Sequence, residues 1–157
     1  MALHVCSLKF DAQRDGGAFS VPAGGSYHVV PFPYGGSESY DPDNMHAEDG
    51  HAFPKDPASG LIRPGHEAWG RLYAMIQWAD GSGSAARELR DQFARDPLGS
   101  VDTTCTEHRP PSPGMQCFAK AWGMFVHPDV PIGLRVTHDA DDALGVVLAE
   151  LKLEYDA

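Results

Sequence analysis

Apolar and polar side chains alternate most cleanly in the central segment WGRLYAMIQWAD, residues 69–80. Read with a period of two, Leu72, Ala74, Ile76 and Trp78 share one face, and Arg71, Tyr73, Met75 and Gln77 share the other. That is the pattern of a half-buried strand. Leu72, Met75 and Ile76 also satisfy a helical spacing, but the flanking Gly70 and the run Asp80-Gly81-Ser82-Gly83 favour a strand entering a tight turn. The last third of the chain repeats the signal. MQCFAKAWGMFV, IGLRVTH and LGVVLAELKLEYD are separated by the turns His127-Pro128-Asp129 and Asp139-Ala140-Asp141-Asp142. Ile132, Leu134 and Val136 alternate with Gly133, Arg135 and Thr137. In the final segment Val147, Leu151, Leu153 and Tyr155 oppose Glu150, Lys152 and Glu154, as in antiparallel strands with one buried face.

The first half is more broken. LHVCSLKF near the start alternates briefly before the breaker-rich DAQRDGGAFS, so residues 1–20 read as an N-terminal arm or an edge strand ahead of a domain at 21–157. SYHVVPF at 26–32 is β-branched and aromatic, with prolines on both sides. Residues 33–57 are mostly Gly, Ser, Asp, Asn and Pro, a long excursion with at most a short strand near Tyr40. SAARELRDQFARDP at 84–97 is compatible with a helix capped by Ser84 and stopped by Pro97, and equally with a strand alternating through Arg87, Leu89, Asp91 and Phe93. VDTTCTEH is strand-like and RPPSPG is a forced turn. About eight strands at this spacing make an all-β antiparallel sandwich or jelly roll rather than βαβ units.

Composition narrows the function. The 157 residues suit one domain, and 17 glycines with 13 prolines fit many turns between short elements. The formal charge is −10, which supplies no basic face to neutralise phosphates and argues against nucleic-acid binding. No stretch is apolar over the length a membrane span needs, and the start lacks the pattern of a secretory leader, so synthesis in a reducing cytoplasm is expected. The three cysteines, Cys6, Cys105 and Cys117, form no CxxC pair and read as free thiols.

Candidate chemistry is sparse. His46 and His51 lie among Asp41, Asp43, Asn44 and Asp49, but the spacing of a calcium loop is missing, and these residues read as turn-capping side chains in a solvated loop. Thr137-His138-Asp139 and His127-Pro128-Asp129 only approach the motif of a metal-dependent oxygenase and sit at turns. Gly81-Ser82-Gly83-Ser84 is no nucleophile elbow, and Cys117 reads as a small strand residue rather than a nucleophile. Trp69, Trp78 and Trp122, with Phe118 and Phe125, read as core or oligomer contacts rather than a ligand platform. No catalytic, cofactor or metal site is expected, and the chain reads as a non-enzyme.

The order of the segments VPAGGSYHVVPFP, SYDPDNMHA, LIRPG, WGRLYAMIQWAD and IGLRVTHDADDALGVVLAELKLEYD, over residues 21–157, resembles the C1q/TNF-like jelly roll of bacteriophage virion proteins. Tyr40-Asp41, Pro64-Gly65, Tyr73, Trp78, Leu134, Val136 and His138 occupy the matching places. The resemblance implies a homotrimer packed around a threefold axis. It further implies a structural virion protein that decorates or cements the outside of a phage head, made in the host cytoplasm and bound to the major capsid protein through the N-terminal arm. A phage tail or receptor-binding head, and a free-standing ligand-binding or enzymatic β-barrel, are the alternatives. For the trimer, strands 69–79 and 146–156 would bury Leu72, Ile76, Val147, Leu151 and Leu153, and would turn Arg71, Tyr73, Met75, Glu150, Lys152 and Glu154 toward neighbouring protomers. Arg71 would pair there with a neighbour's Glu150 or Glu154.

Overall fold

The computed structural model describes residues 1–36 and 38–157, and nine strands are formed among them. They are β1 (Leu3–Asp11), β2 (Phe19–Val21), β3 (His28–Val29), β4 (Ala68–Trp78), β5 (Leu89–Arg95), β6 (Thr103–Arg109), β7 (Cys117–Val126), β8 (Ile132–His138) and β9 (Leu144–Asp156). Sheet A runs β1-β9-β4-β7, with the short β2 also on β9, and sheet B runs β3-β8-β5-β6. Every pairing is antiparallel. Among the described residues, helix is confined to the turn Ser82–Ala85 and a 3-10 turn at Pro57–Gly60.

Period-two burial follows from the sequence pattern. Along β4 the buried residues are Ala68, Gly70, Leu72, Ala74, Ile76 and Trp78, while Trp69, Arg71 and Tyr73 are exposed. The inner face of sheet A adds Cys6, Leu8 and Phe10 from β1 and Ala149, Leu151, Leu153 and Tyr155 from β9. Against these pack Leu89 and Phe93 of β5 and Ile132, Leu134 and Val136 of β8, all fully buried. Two stacked faces of this kind enclose one core.

Four sequence expectations change. Val147 does not fill the core: the β4–β9 register shifts between Gln77 and Trp78, Val146 takes the buried place opposite Trp78, and Val147 is half-buried. The extra residue of such a bulge reverses inside and outside for everything beyond it. Of the two readings for the N-terminus, Leu3–Asp11 forms an edge strand in full register with β9, and its buried Cys6, Leu8 and Phe10 do not form a free arm. SYHVVPF is extended but pairs as a strand only at His28–Val29. Residues 84–97, open between helix and strand, give the end of the Ser82–Ala85 turn and then β5.

The excursion at 33–57 is pinned from below. Tyr40 exchanges two backbone hydrogen bonds with Ser7 on the open edge of β1, at 2.7 and 2.9 Å. The Asp41 carboxylate accepts from the backbone N–H groups of Met45 (2.9 Å) and His46 (2.7 Å), forming a side-chain-capped turn that leaves both residues buried. Met45 reaches the Tyr155 hydroxyl, which in turn accepts from Gly65 N–H.

Candidate assembly interface

The outward face of sheet A is the surface on which the predicted interface residues meet. Directly opposed residues of a ladder point to the same side, so the register places Arg71 beside Glu154 and Gly123, Tyr73 beside Lys152 and Ala121, and Met75 beside Glu150 and Ala119. Arg71, Tyr73, Met75, Glu150, Lys152 and Glu154 therefore share one surface. A groove of about 450 Å³ lies among Tyr73, Met75, Ala119, Ala121, Glu150 and Lys152. Alanines on β7 make its floor, and Tyr73 and the long β9 side chains make its walls.

The charges on this face are organised within the chain. Arg71 Nε donates to Glu154 Oε1 at 2.7 Å, and the Tyr73 hydroxyl donates to the same oxygen at 3.0 Å. These two hydrogen bonds hold the Glu154 carboxyl below its ordinary range, and the reciprocal bonds raise Arg71 and Tyr73. Arg71 also reaches Asp156 at 3.4 Å, and Lys152 lies 3.6 Å from Glu150. The partner expected for Arg71 on a neighbouring protomer is thus already supplied by its own β9, because β4 and β9 are adjacent in the sheet. The face carries Lys9, Arg71 and Lys152 against Asp11, Glu150, Glu154 and Asp156, close to balance in a chain of net −10.

The face extends beyond the six expected interface residues, and the small residues of β7 were not singled out from the sequence. Trp69, 60% exposed, pairs across the ladder with Phe125, 41% exposed. The Trp69 indole packs against Gly123, where an added Cβ would come within 2.7 Å of the ring. The signal was present in MQCFAKAWGMFV: Cys117, Ala119, Ala121, Gly123 and Phe125 form a period-two stripe, small except at its end, that lets another surface approach the backbone. Trp122 projects from the edge strand β7 and is 48% exposed, whereas Trp78 is a core residue.

The residues considered for metal or acid–base chemistry are dispersed. His46 is buried, donates through Nε2 to Ser59 O at 2.6 Å and stacks on Tyr34. His51 pairs with Asp56 at 2.8 Å, and Asp43 with His4 at 3.0 Å. Asn44 and Asp49 sit at positive φ in the turns of this loop. His138 donates through Nε2 to Val21 O and accepts at Nδ1 from Ala140 N–H, with its ring edge-on to Trp78. Asp139 accepts from the N–H groups of Arg87 and Glu88, and His127 lies near Glu67 and Phe125. Cys117 lies 3.6 Å from Met75 Sδ on the outer face of sheet A. Among the described residues, no group of three or more His, Cys, Asp or Glu side chains is placed to hold a metal ion.

No protein-family model and no curated protein matches the chain. Solved structures do match. The structure of Eiger TNF from S. frugiperda superposes with a TM-score of 0.55 at 16% identity, covering 98% of this chain and 94% of that one. The two-sheet sandwich is thus a TNF-like jelly roll.

Proposed function

We propose that this chain is a non-enzymatic assembly module that forms a homotrimer through the outer face of sheet A, and that its biological role is to decorate or cement the outside of a virion head. The observation that carries the reading is the groove floored by Ala119 and Ala121 and walled by Tyr73 and Met75, continuous with the exposed Trp69 and Phe125. Aromatic and thioether side chains around small residues characterise the centre of an interface, whereas a solvated sheet face is mostly polar. A second copy suits the face because its own charges are mixed and nearly balanced, so like surfaces meet without the repulsion that the rest of this acidic chain would impose. Three copies around an axis present each protomer's face and its β7 edge, with Trp122, to neighbours. Residues 3–11 of the N-terminal segment are an integral strand, so in this reading the contact with the shell lies outside that strand.

Light scattering at micromolar concentration tests the assembly: the expected mass is three chains. Ala121→Glu puts an unpaired charge on the groove floor and is expected to yield monomer with an unchanged circular dichroism spectrum. A single-chain mass for the wild-type protein refutes the trimer. A gene for a major capsid protein beside this one supports the head role, and a neighbouring tape-measure gene moves the module to the tail.

A further inference from the structure

Between the sheets, where β7 of sheet A faces β5 and β6 of sheet B, the core holds an ionic cluster. Lys120 points inward from β7 with 3% of its side chain exposed, and Asp91 points inward from β5 with 2% exposed. Lys120 Nζ lies 2.8 Å from Asp91 Oδ1, yet that buried oxygen has no hydrogen bond of acceptable geometry. The ammonium instead donates to Cys105 O at 2.8 Å and sits 4.8 Å from the centre of the Phe93 ring. Arg109 Nε donates to the other carboxylate oxygen, Oδ2, at 3.0 Å, with its guanidinium over Phe118. Glu107 lies directly across from Asp91 in the β5–β6 ladder.

We propose that Lys120 and Asp91 condense into an intramolecular isopeptide bond that ties the edge strand β7 to sheet B. Two ions removed from water are costly unless their bonding is complete, and here the ammonium and Oδ1 are in contact without a hydrogen bond between them. A proton passed across the 2.8 Å contact from Nζ to Oδ1 gives the amine and the carboxylic acid from which a condensation starts. The amine then attacks Cγ. Negative charge develops on Oδ2, which already faces the Arg109 donor, an arrangement that stabilises a tetrahedral oxyanion. Collapse expels Oδ1 with two protons as water, and the second proton comes from the attacking nitrogen. One C–N bond forms, one C–O bond breaks, and no oxidant or further reactant enters. Holding amine and carbonyl together in a packed core supplies the proximity that makes such a condensation feasible. After it, the amide oxygen accepts from Arg109, which already donates to Oδ2.

Intact mass spectrometry of the denatured, reduced full chain tests the cross-link. The expected result is a mass lower than the sequence mass by one water, with a protease map joining the β5 and β7 peptides through Lys120 and Asp91. Asp91→Asn is expected to reach the same linked product by losing ammonia, and Lys120→Arg to retain its full mass. A wild-type chain at full sequence mass overturns the proposal, and so does a water loss that persists in Lys120→Arg or maps to other residues. The wild-type measurement decides the matter even if a variant fails to fold.

Discussion

Replacing Gly70 by alanine adds one methyl group to the centre of the sandwich. Gly70 is buried on β4 between β9 and β7, and a Cβ built there would lie 2.7 Å from Val126 Cγ1, 3.0 Å from Leu153 Cδ1 and 3.4 Å from the Met124 carbonyl oxygen. Backbone propensity alone favours the change by about 0.5–1 kcal/mol, because glycine loses more freedom on folding than alanine. The contacts oppose it. Val126 is fully buried, and its β-branched side chain has little room to rotate in a strand. The strand itself must then shift, and overpacking of this kind costs about 1–3 kcal/mol. A net loss of about 1–2 kcal/mol is expected for Gly70→Ala. Leu153→Ala, in a strand paired on both sides, is expected to cost about 3–5 kcal/mol, because flanking strands limit collapse into the cavity. The two sites share the space at Leu153 Cδ1, so the double variant should be more stable than the sum of single effects requires, by about 0.5 kcal/mol or more. Urea denaturation of the four proteins, with m-values compared, measures the coupling. A stabilised Gly70→Ala, or strict additivity, refutes the argument that Gly70 is required by close packing.

Three further outcomes are expected. Tyr73→Ala should shift the trimer toward monomer in sedimentation velocity while Tyr73→Phe retains it, and an unaffected Tyr73→Ala protein would show that another face assembles. Stability should fall as pH drops from about 8 to about 5.5, because burial holds the His46 pKa below its ordinary 6.5 in the folded chain while the unfolded chain takes up the proton more readily. This contribution is present above pH 6.5 and is lost as the pH falls toward the folded-state value, so urea unfolding at the two pH values should lose part of its difference in His46→Gln, and a pH-independent wild type would contradict the assignment. Cys117, exposed on the proposed interface, should react with a disulfide reagent faster in Ala121→Glu than in the assembled wild type. Cys6, whose burial pushes its thiol far up, should react only on unfolding, and prompt native labelling of Cys6 would contradict its placement.

Where a strand buries one face and solvates the other, the period of two was enough: β4 and the C-terminal half of β9 follow their sequence alternation residue by residue, whereas β8 also buries Gly133 and Thr137 beside Ile132, Leu134 and Val136. The bulge in β9 was hidden because Val146, Val147 and Leu148 are all apolar, so parity cannot tell which of them faces inward. β5 was ambiguous for a different reason. Arg90, Asp91 and Arg95 give it the composition of an exposed helix, and the inward placement of Asp91 depends on Lys120 and Arg109, which arrive from β7 and β6. A local window cannot hold both halves of a buried charge pair.

The same limit separates what could be read of the assembly surface from what could not. Tyr73 and Met75 were legible as odd occupants of a polar face, and Glu150, Lys152 and Glu154 were legible as their companions on another strand. The Arg71–Glu154 bond was assigned to a neighbour because sequence alone does not say that β9 inserts between β1 and β4. Once that order is known, the pair is intramolecular, and in the proposed trimer its role changes: it would fix the long side chains beside the groove before a partner arrives, which lowers the entropy cost of ordering them on association. Exposed ion pairs contribute little to the stability of a single chain. Their value here lies in a pre-arranged rim around Ala119, Ala121 and Tyr73, so Arg71→Gln is expected to weaken assembly more than it weakens folding, as measured by dissociation on dilution against urea unfolding of the same protein. Equal or larger damage to folding would show that the network serves the sheet alone.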